Sequence, residues 1–429
     1  MNIVVQGVWH LGAVTAACLA EAGFTVAGLV GDAAEAEALS AGRMPIFEPG
    51  LTELAQAGLA RGNLTYGHDP AILGGADVVW ACWDTPVDAD DNADVDYVTA
   101  RIAATFPHLR DGAVLLVSSQ LPVGSVAALE RMFAARFPGR HCVFACSPEN
   151  LRLGKAIDVF RRPERVVVGL RDARGREPLA RLFAPFSTNI VWTGIEAAEI
   201  AKHAINAFLA VSVTFANEVA TVCEVAGADM REVERALRSE PRIGERAYIR
   251  PGGAFAGGTL ARDLRYLGGI GRANRLRTPL LDSVLESNHA HASWPLSKLE
   301  QLLVTLKGCR IAVLGLAYKP GTDVTRRSLA VTLCESLLAQ GATVVAVDPA
   351  VSRLESGPAG LVHAPSVAAA VEGAHAVVVM TEWPAFRTDS TADLFVAAMA
   401  TPIVIDPNGF LGHLAMDERI RHFQVGVSR

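Results

Sequence analysis

From Ile195 to Val225 the chain runs without a proline or a glycine, and Gly227 is the first helix breaker after it. Apolar residues recur at Ile200, Ala204, Phe208, Val211 and Phe215, a three-to-four spacing that predicts one long amphipathic helix. Roughly 30 residues at 1.5 Å each reach about 45 Å, more than a single domain needs. A helix of that length forms a spine between domains or an interface between copies of a chain. The alternative is two helices with a break that spacing does not reveal.

The flanks of this run share a rhythm. On the N-terminal side the predicted strands are Ile3–Gln6, Thr25–Val30, Val78–Cys82, Val114–Ser118, Val143–Cys146 and Arg165–Val168, with helical stretches such as Gly12–Ala22 and Asp96–Ala104 between them. Beyond a charged helical stretch at 286–307, Arg310–Gly315, Thr343–Val347, Ala376–Met380 and Ile403–Ile405 read as strands and Ser328–Gln340 as a helix. Alternation of this kind predicts an α/β fold. The N-terminal part is a Rossmann-like, doubly wound parallel sheet, and a second, smaller Rossmann-like domain follows the long helix. A length of 429 residues suits about three domains, drawn here at 1–192, 193–307 and 308–429.

Composition excludes several classes. Hydrophobic residues make up 51% and charged residues 20%, the balance of a core-forming chain. A net charge of −6 gives no basic footprint for nucleic acid or an anionic membrane. Strand-sized runs such as Gly112–Val117 fall short of a membrane span, and the N-terminus lacks the basic region of a signal peptide. The expected location is the cytoplasm. The seven cysteines are an odd number without zinc spacing, so they are expected to be buried thiols of a reducing compartment, with no metal site.

Two turns carry nucleotide-binding signals. Val4-Val5-Gln6-Gly7-Val8-Trp9-His10-Leu11-Gly12 runs from a strand into glycines and a helix, which aims backbone N–H groups at a pyrophosphate. Gly7 and Gly12 hold the first and third places of G-x-G-x-x-G. Trp9 holds the second, where a side chain obstructs the phosphate. The ribose-binding acid is expected near Val30, and Asp32 stands two residues late. By motif alone, dinucleotide binding and an ordinary glycine turn are equally supported. The second turn, Gly315 to Asp323, brings Lys319 near a helix start, where it suits a phosphate or simply a solvated loop.

Colinear segments resemble the UDP-glucose/GDP-mannose dehydrogenase family, the nucleotide-sugar dehydrogenases. They are Pro45–Leu51, Thr85-Pro86, Pro122–Gly124, Ser147–Gly154, Pro163–Val166, Lys202–Phe208, Pro241–Gly244, Lys319–Asp323 and Thr381–Trp383. The resemblance implies NAD as cofactor, a sugar-nucleotide substrate, a C-terminal domain that binds the nucleotide (UDP), and a homodimer through the central helix. It also implies two successive oxidations of a sugar CH2OH, the second through a cysteine thioester.

By the same resemblance, Gly7, Gly12, Asp32 and Thr85 meet the cofactor. Leu151, Arg152, Arg242, Phe255, Gly257 and Lys319 meet the substrate, Arg242 reaching across to a partner subunit. Lys202 and Asn206, four apart on one helix face, hold the reacting oxygen, while Asp263 positions water and base and Glu149 is a further acid.

The departures fall together. Thr259 stands at the nucleophilic cysteine, and a hydroxyl lacks the thiolate chemistry needed to capture an aldehyde. Gln120 replaces a threonine that orients water, Leu153 a glutamate of the substrate loop, and Pro407 an arginine expected after Asp406. Groups for the alcohol-to-carbonyl step are kept while those for the thioester are lost. The leading expectation is therefore an NAD-dependent oxidation that stops at or bypasses the thioester. Its rivals are an epimerase using NAD transiently and a catalytically silent sugar-nucleotide binder.

Overall fold

The computed structural model describes residues 1–86, 93–149, 151–354 and 356–427. By internal contacts the chain forms two compact units, Met1–His203 and Ala204–Arg429.

The first unit is built on eight strands: β1 (Asn2–Gln6), β2 (Thr25–Leu29), β3 (Leu64–Gly67), β4 (Val78–Ala81), β5 (Ala113–Val117), β6 (Cys142–Cys146), β7 (Val166–Leu170) and β8 (Ile190–Thr193). Their order is β3-β2-β1-β4-β5-β6-β7-β8, so the winding reverses between β1 and β4. The helices between them are α1 (His10–Glu21), α2 (Ala33–Ser40), α3 (Leu51–Arg61), α4 (Val95–Ala104), α5 (Ser125–Arg136), α6 (Ala156–Arg161) and α7 (Arg176–Phe183).

The fully buried strands VVWA and AVLLV show why the sheet is covered on both faces. Ile3, Val5, Trp80 and Leu116 pack on one side. Val4, Val79, Leu115, Phe106 and Phe133 pack on the other. One expectation needs correction, because β7 runs antiparallel to β6, pairing Leu170 with Ala145. The connection from β6 passes through the short α6 and returns down the sheet instead of crossing over it.

The long run is a single helix, α8 (Ile195–Ala226), which settles the choice left open by spacing. At 32 residues it is long and apolar enough to cross a membrane by length and composition, contrary to the expectation that no stretch reaches that size. Ser212 and Thr214 donate back to the helix carbonyls of Phe208 and Ala210 and are buried together with Asn217. Ala207, Ala210, Ala216 and Ala220 are buried in the core of the second unit. Phe208, Phe215, Val222 and Val225 are exposed.

The second unit continues through α9 (Met230–Ser239), α10 (Thr259–Ala273), α11 (Pro279–Ala292) and α12 (Trp294–Leu302) into a six-stranded sheet. Its strands are β9 (Arg310–Leu314), β10 (Thr343–Val347), β11 (Val362–His363), β12 (Ala376–Val379), β13 (Ile403–Ile405) and β14 (Arg421–Phe423). The order β11-β10-β9-β12-β13-β14 is parallel throughout and again reverses beside its first strand. Helices α13 (Leu329–Ala339), α14 (Val367–Val371) and α15 (Thr391–Ala398) accompany it.

Candidate cofactor turn, active site and nucleotide cleft

The turn after β1 requires glycine twice. Gly7 has φ +81°, and a Cβ there would lie 2.7 Å from the backbone nitrogen of Trp83. A Cβ on Gly12 would lie 2.1 Å from the carbonyl oxygen of Gly7. The two glycines let α1 close onto the strand end, and Trp9, the N-cap residue of α1, makes no side-chain cap. Such a terminus presents unpaired N–H groups to an anion. Trp9 adopts φ −111°, which any residue tolerates, and is 51% exposed.

Beside the turn, the Nε1–H of Trp83 donates to Gln6 Oε1 at 3.2 Å, while the Gln6 Nε2 is buried without a partner. Buried amides are seldom left so, and a polar ligand at the switch point would satisfy it. Arg101 lies over both Trp83 and Tyr97. Asp32 caps α2 by accepting Glu35 N–H at 2.9 Å, and Glu35 in turn accepts Gly31 N–H. Thr85 Oγ1 donates to the Gln120 carbonyl at 2.8 Å, tying the loops after β4 and β5. These residues fit a dinucleotide at the turn.

A cavity in the same unit is lined by Ser118, Gln120, Cys146, Glu149, Lys202 and His203, among others. Lys202 Nζ donates to the carbonyl oxygen of Glu149 at 2.8 Å. The Glu149 carboxylate instead accepts Leu151 N–H within its own loop, so the backbone of Glu149, not its acid, meets the lysine. Asn150 of this segment lies outside the described residues. Leu151 is half-buried, and Arg152 is exposed.

Sequence reasoning missed Glu199. One helical turn before Lys202, it is buried and accepts Gly124 N–H at 2.6 Å and Val126 N–H at 3.0 Å, capping α5. Burial raises its carboxyl above the ordinary range, and the two backbone donors oppose that rise. Cys146 is no substitute nucleophile, since burial pushes its thiol well up and Glu199 adds to the effect.

In the second unit the amide of Asn206 donates to Asp263 Oδ2, and Asp263 is fully buried. Thr259 is exposed at the first position of α10. The loop before it is held by side chains that spacing did not reveal. Gly252 N–H donates to Asn217 Oδ1 at 2.9 Å and Gly253 N–H to Asn408 Oδ1 at 2.7 Å. Phe255 exchanges two hydrogen bonds with the Asn288 amide, and the His291 ring lies 2.8 Å from the Gly252 carbonyl. Burial lowers the His291 pKa, so the ring stays neutral and donates.

This loop walls a cleft with Tyr318, Ser328, Met380 and Asn408, beside the paired strands β9 and β12 where the winding of the sheet reverses. Ligands of open α/β sheets bind at such a place. Gly257 (φ +76°) lies against the Tyr318 ring, and Lys319 Nζ sits 5.4 Å from that ring. Arg242 stands apart, exposed and ion-paired with Glu240 at 2.8 Å.

The glycine turn after β1, the long helix and the cleft where the second sheet reverses its order fit a dinucleotide-dependent α/β enzyme. The chain belongs to the UDP-glucose/GDP-mannose dehydrogenase family. Residues 1–187 match its NAD binding domain, 196–290 its central domain and 312–413 its UDP binding domain. A UDP-glucose 6-dehydrogenase of Pseudomonas aeruginosa is 33% identical over 97% of this chain and 95% of its own. A UDP-glucose dehydrogenase of Pyrobaculum islandicum superposes with TM-score 0.78 at 29% identity, covering 89% of this chain and 90% of that one. A UDP-D-ManNAc dehydrogenase of Pyrococcus horikoshii gives TM-score 0.81 at 25% identity, covering 99% of both chains.

Proposed function

We propose that the protein is an NAD-dependent oxidoreductase that converts the CH–OH group of a UDP-linked sugar to a carbonyl without forming a thioester. The carrying observation is that Lys202 and Asn206 stand one turn apart on α8, each fixed by a partner within its own unit.

When bound, NAD supplies the hydride acceptor. The glycine turn and the α1 terminus hold its pyrophosphate, with Gly7, Gly12, Asp32 and Thr85 as contacts. Lys202 and Asn206 hold the reacting oxygen. The cation favours the developing alkoxide, and the amide donates to it. Asp263 keeps Asn206 oriented, and the Glu149 carbonyl keeps Lys202 oriented. Leu151, Arg152, Phe255, Gly257 and Lys319 contact the sugar nucleotide. Thr259, with Gln120 and Leu153, leaves the aldehyde without covalent capture.

We assign residues 1–192 to cofactor binding, 193–307 to dimerisation and 308–429 to the nucleotide. The homodimer reading is supported by Phe208, Phe215 and Val222, which recur every seven residues on α8 and are all exposed. Arg242 would then serve the partner's substrate. The described cysteines are free, which suits the cytoplasm, where nucleotide sugars are prepared for polysaccharide assembly.

A panel of nucleotide sugars incubated with NAD tests the reading. NADH must accumulate with a UDP-sugar. A sugar altered without NADH would instead establish an epimerase, and failure to bind NAD would establish a silent binder.

A further inference from the structure

Glu48 has no part in the chemistry above, yet it is a buried carboxylate with three donors from two distant segments. Its Oε1 accepts Ala156 N–H at 2.9 Å, and its Oε2 accepts Gly154 N–H at 2.8 Å and lies 3.1 Å from His10 Nε2. Only 4% of Glu48 is exposed. His10 opens α1, immediately after the turn that holds Gly7 and Trp9. Gly154 and Ala156 close the loop of Glu149, Leu151 and Arg152 and begin α6. Glu48 itself is fixed at the entry to α3, where Leu51 N–H donates to its carbonyl at 3.0 Å.

Three stretches distant in sequence therefore meet on one carboxylate, and Lys155, the N-cap residue of α6, makes no side-chain cap of its own. A buried carboxylate is costly unless every donor stays in place. Displacement of the His10 end is thus felt at Gly154 and Ala156, and the reverse holds equally. Asp84 also interacts with His10, so His10 is not reserved to Glu48 alone.

We propose that Glu48 is a positioning residue that joins the cofactor turn to the sugar-nucleotide loop through His10, so that the two ligands bind interdependently. The proposal rests on the functional reading given above. Coupling between two sites is reciprocal, so each ligand strengthens the other by the same factor.

Titration calorimetry with NADH and with UDP-glucose, each alone and with the other present, tests it on the unmodified protein, E48Q, H10Q and the double variant. Glutamine keeps the volume of Glu48 but offers a single acceptor oxygen, so it cannot serve all three donors. Both ligands are expected to weaken about tenfold in E48Q. The mutual enhancement is lost in E48Q and in H10Q, and the double variant is no weaker than E48Q. Weakening of one ligand only, or multiplied losses in the double variant, overturns the proposal.

Should E48Q fail to fold, H10Q decides, because it cuts the link while Glu48 keeps Gly154 and Ala156. Mutual enhancement retained in a folded H10Q overturns the proposal. If the unmodified protein binds neither ligand, the functional reading fails and the proposal with it. If it binds both and the variants bind as well, only the proposal fails.

Discussion

The side-chain amide of Asn206 donates to the carboxylate of Asp263, which is wholly buried in the second turn of α10. A buried carboxylate needs such donors, and in return it holds the amide in one orientation. In the proposed mechanism the second amide hydrogen of Asn206 is the one that meets the reacting oxygen. Replacing the carboxylate in D263N weakens this orientation without emptying the site. We expect kcat to fall about 10- to 100-fold, with a smaller change in the KM for the sugar nucleotide. In D263A the orphaned Asn206 amide adds a stability loss of about 1–3 kcal/mol, read from a denaturant melt.

In the proposed mechanism Lys202 carries the charge that faces the developing alkoxide. In K202M, kcat is expected to drop about 10²- to 10⁴-fold. The affinity for NADH, measured by direct titration, stays within about threefold, because the cofactor turn is built from other residues.

The neutral His291 gives a pH signature. Burial holds its folded-state pKa below the ordinary value of 6.5, so the unfolded chain takes up a proton that the folded one resists. Stability from this group is complete above about pH 6.5 and is lost as pH falls from there through the lowered pKa. H291Q, which still donates to the Gly252 carbonyl, is expected to flatten the decline in melting temperature over that window. An unchanged slope in H291Q would assign the decline to other groups.

The exposed apolar stripe of α8 is tested by charge. F208D places a carboxylate on a residue that is 70% exposed, so the folded chain is barely perturbed. If the stripe packs against a second copy, sedimentation shifts from dimer to monomer. A dimer that persists would place the interface elsewhere.

What was legible in the sequence follows from range. The long helix was visible because glycine and proline are absent over a stretch that no strand could fill. Thr343–Val347 was visible because a nearly continuous β-branched run stands between the end of α13 and Asp348. The edge strands β3 and β8 have only four residues each, too short for a period to register, so they passed as connections. The antiparallel β7 was hidden because direction leaves no mark in a strand's own residues. At the site, Lys202 and Asn206 could be paired by their spacing. Their partners could not, since Glu149 contributes a backbone carbonyl and Asp263 lies 57 positions from Asn206. Glu199 was the recoverable omission, because an acid three residues before Lys202 on an apolar helix shares its face.

The separation of the two oxidations is most exposed at Thr259. With its hydroxyl uninvolved in capture, T259A is expected to form NADH at a rate within about threefold of the unmodified protein. A loss of 100-fold or more would give the hydroxyl a chemical role.

The most direct measurement is the amount of NADH formed per UDP-sugar consumed, with the product identified by mass. An enzyme that keeps Lys202, Asn206 and Asp263 but carries Thr259 in place of a thiol yields one NADH per sugar and a carbonyl product. Two NADH per sugar and a carboxylate would contradict that account.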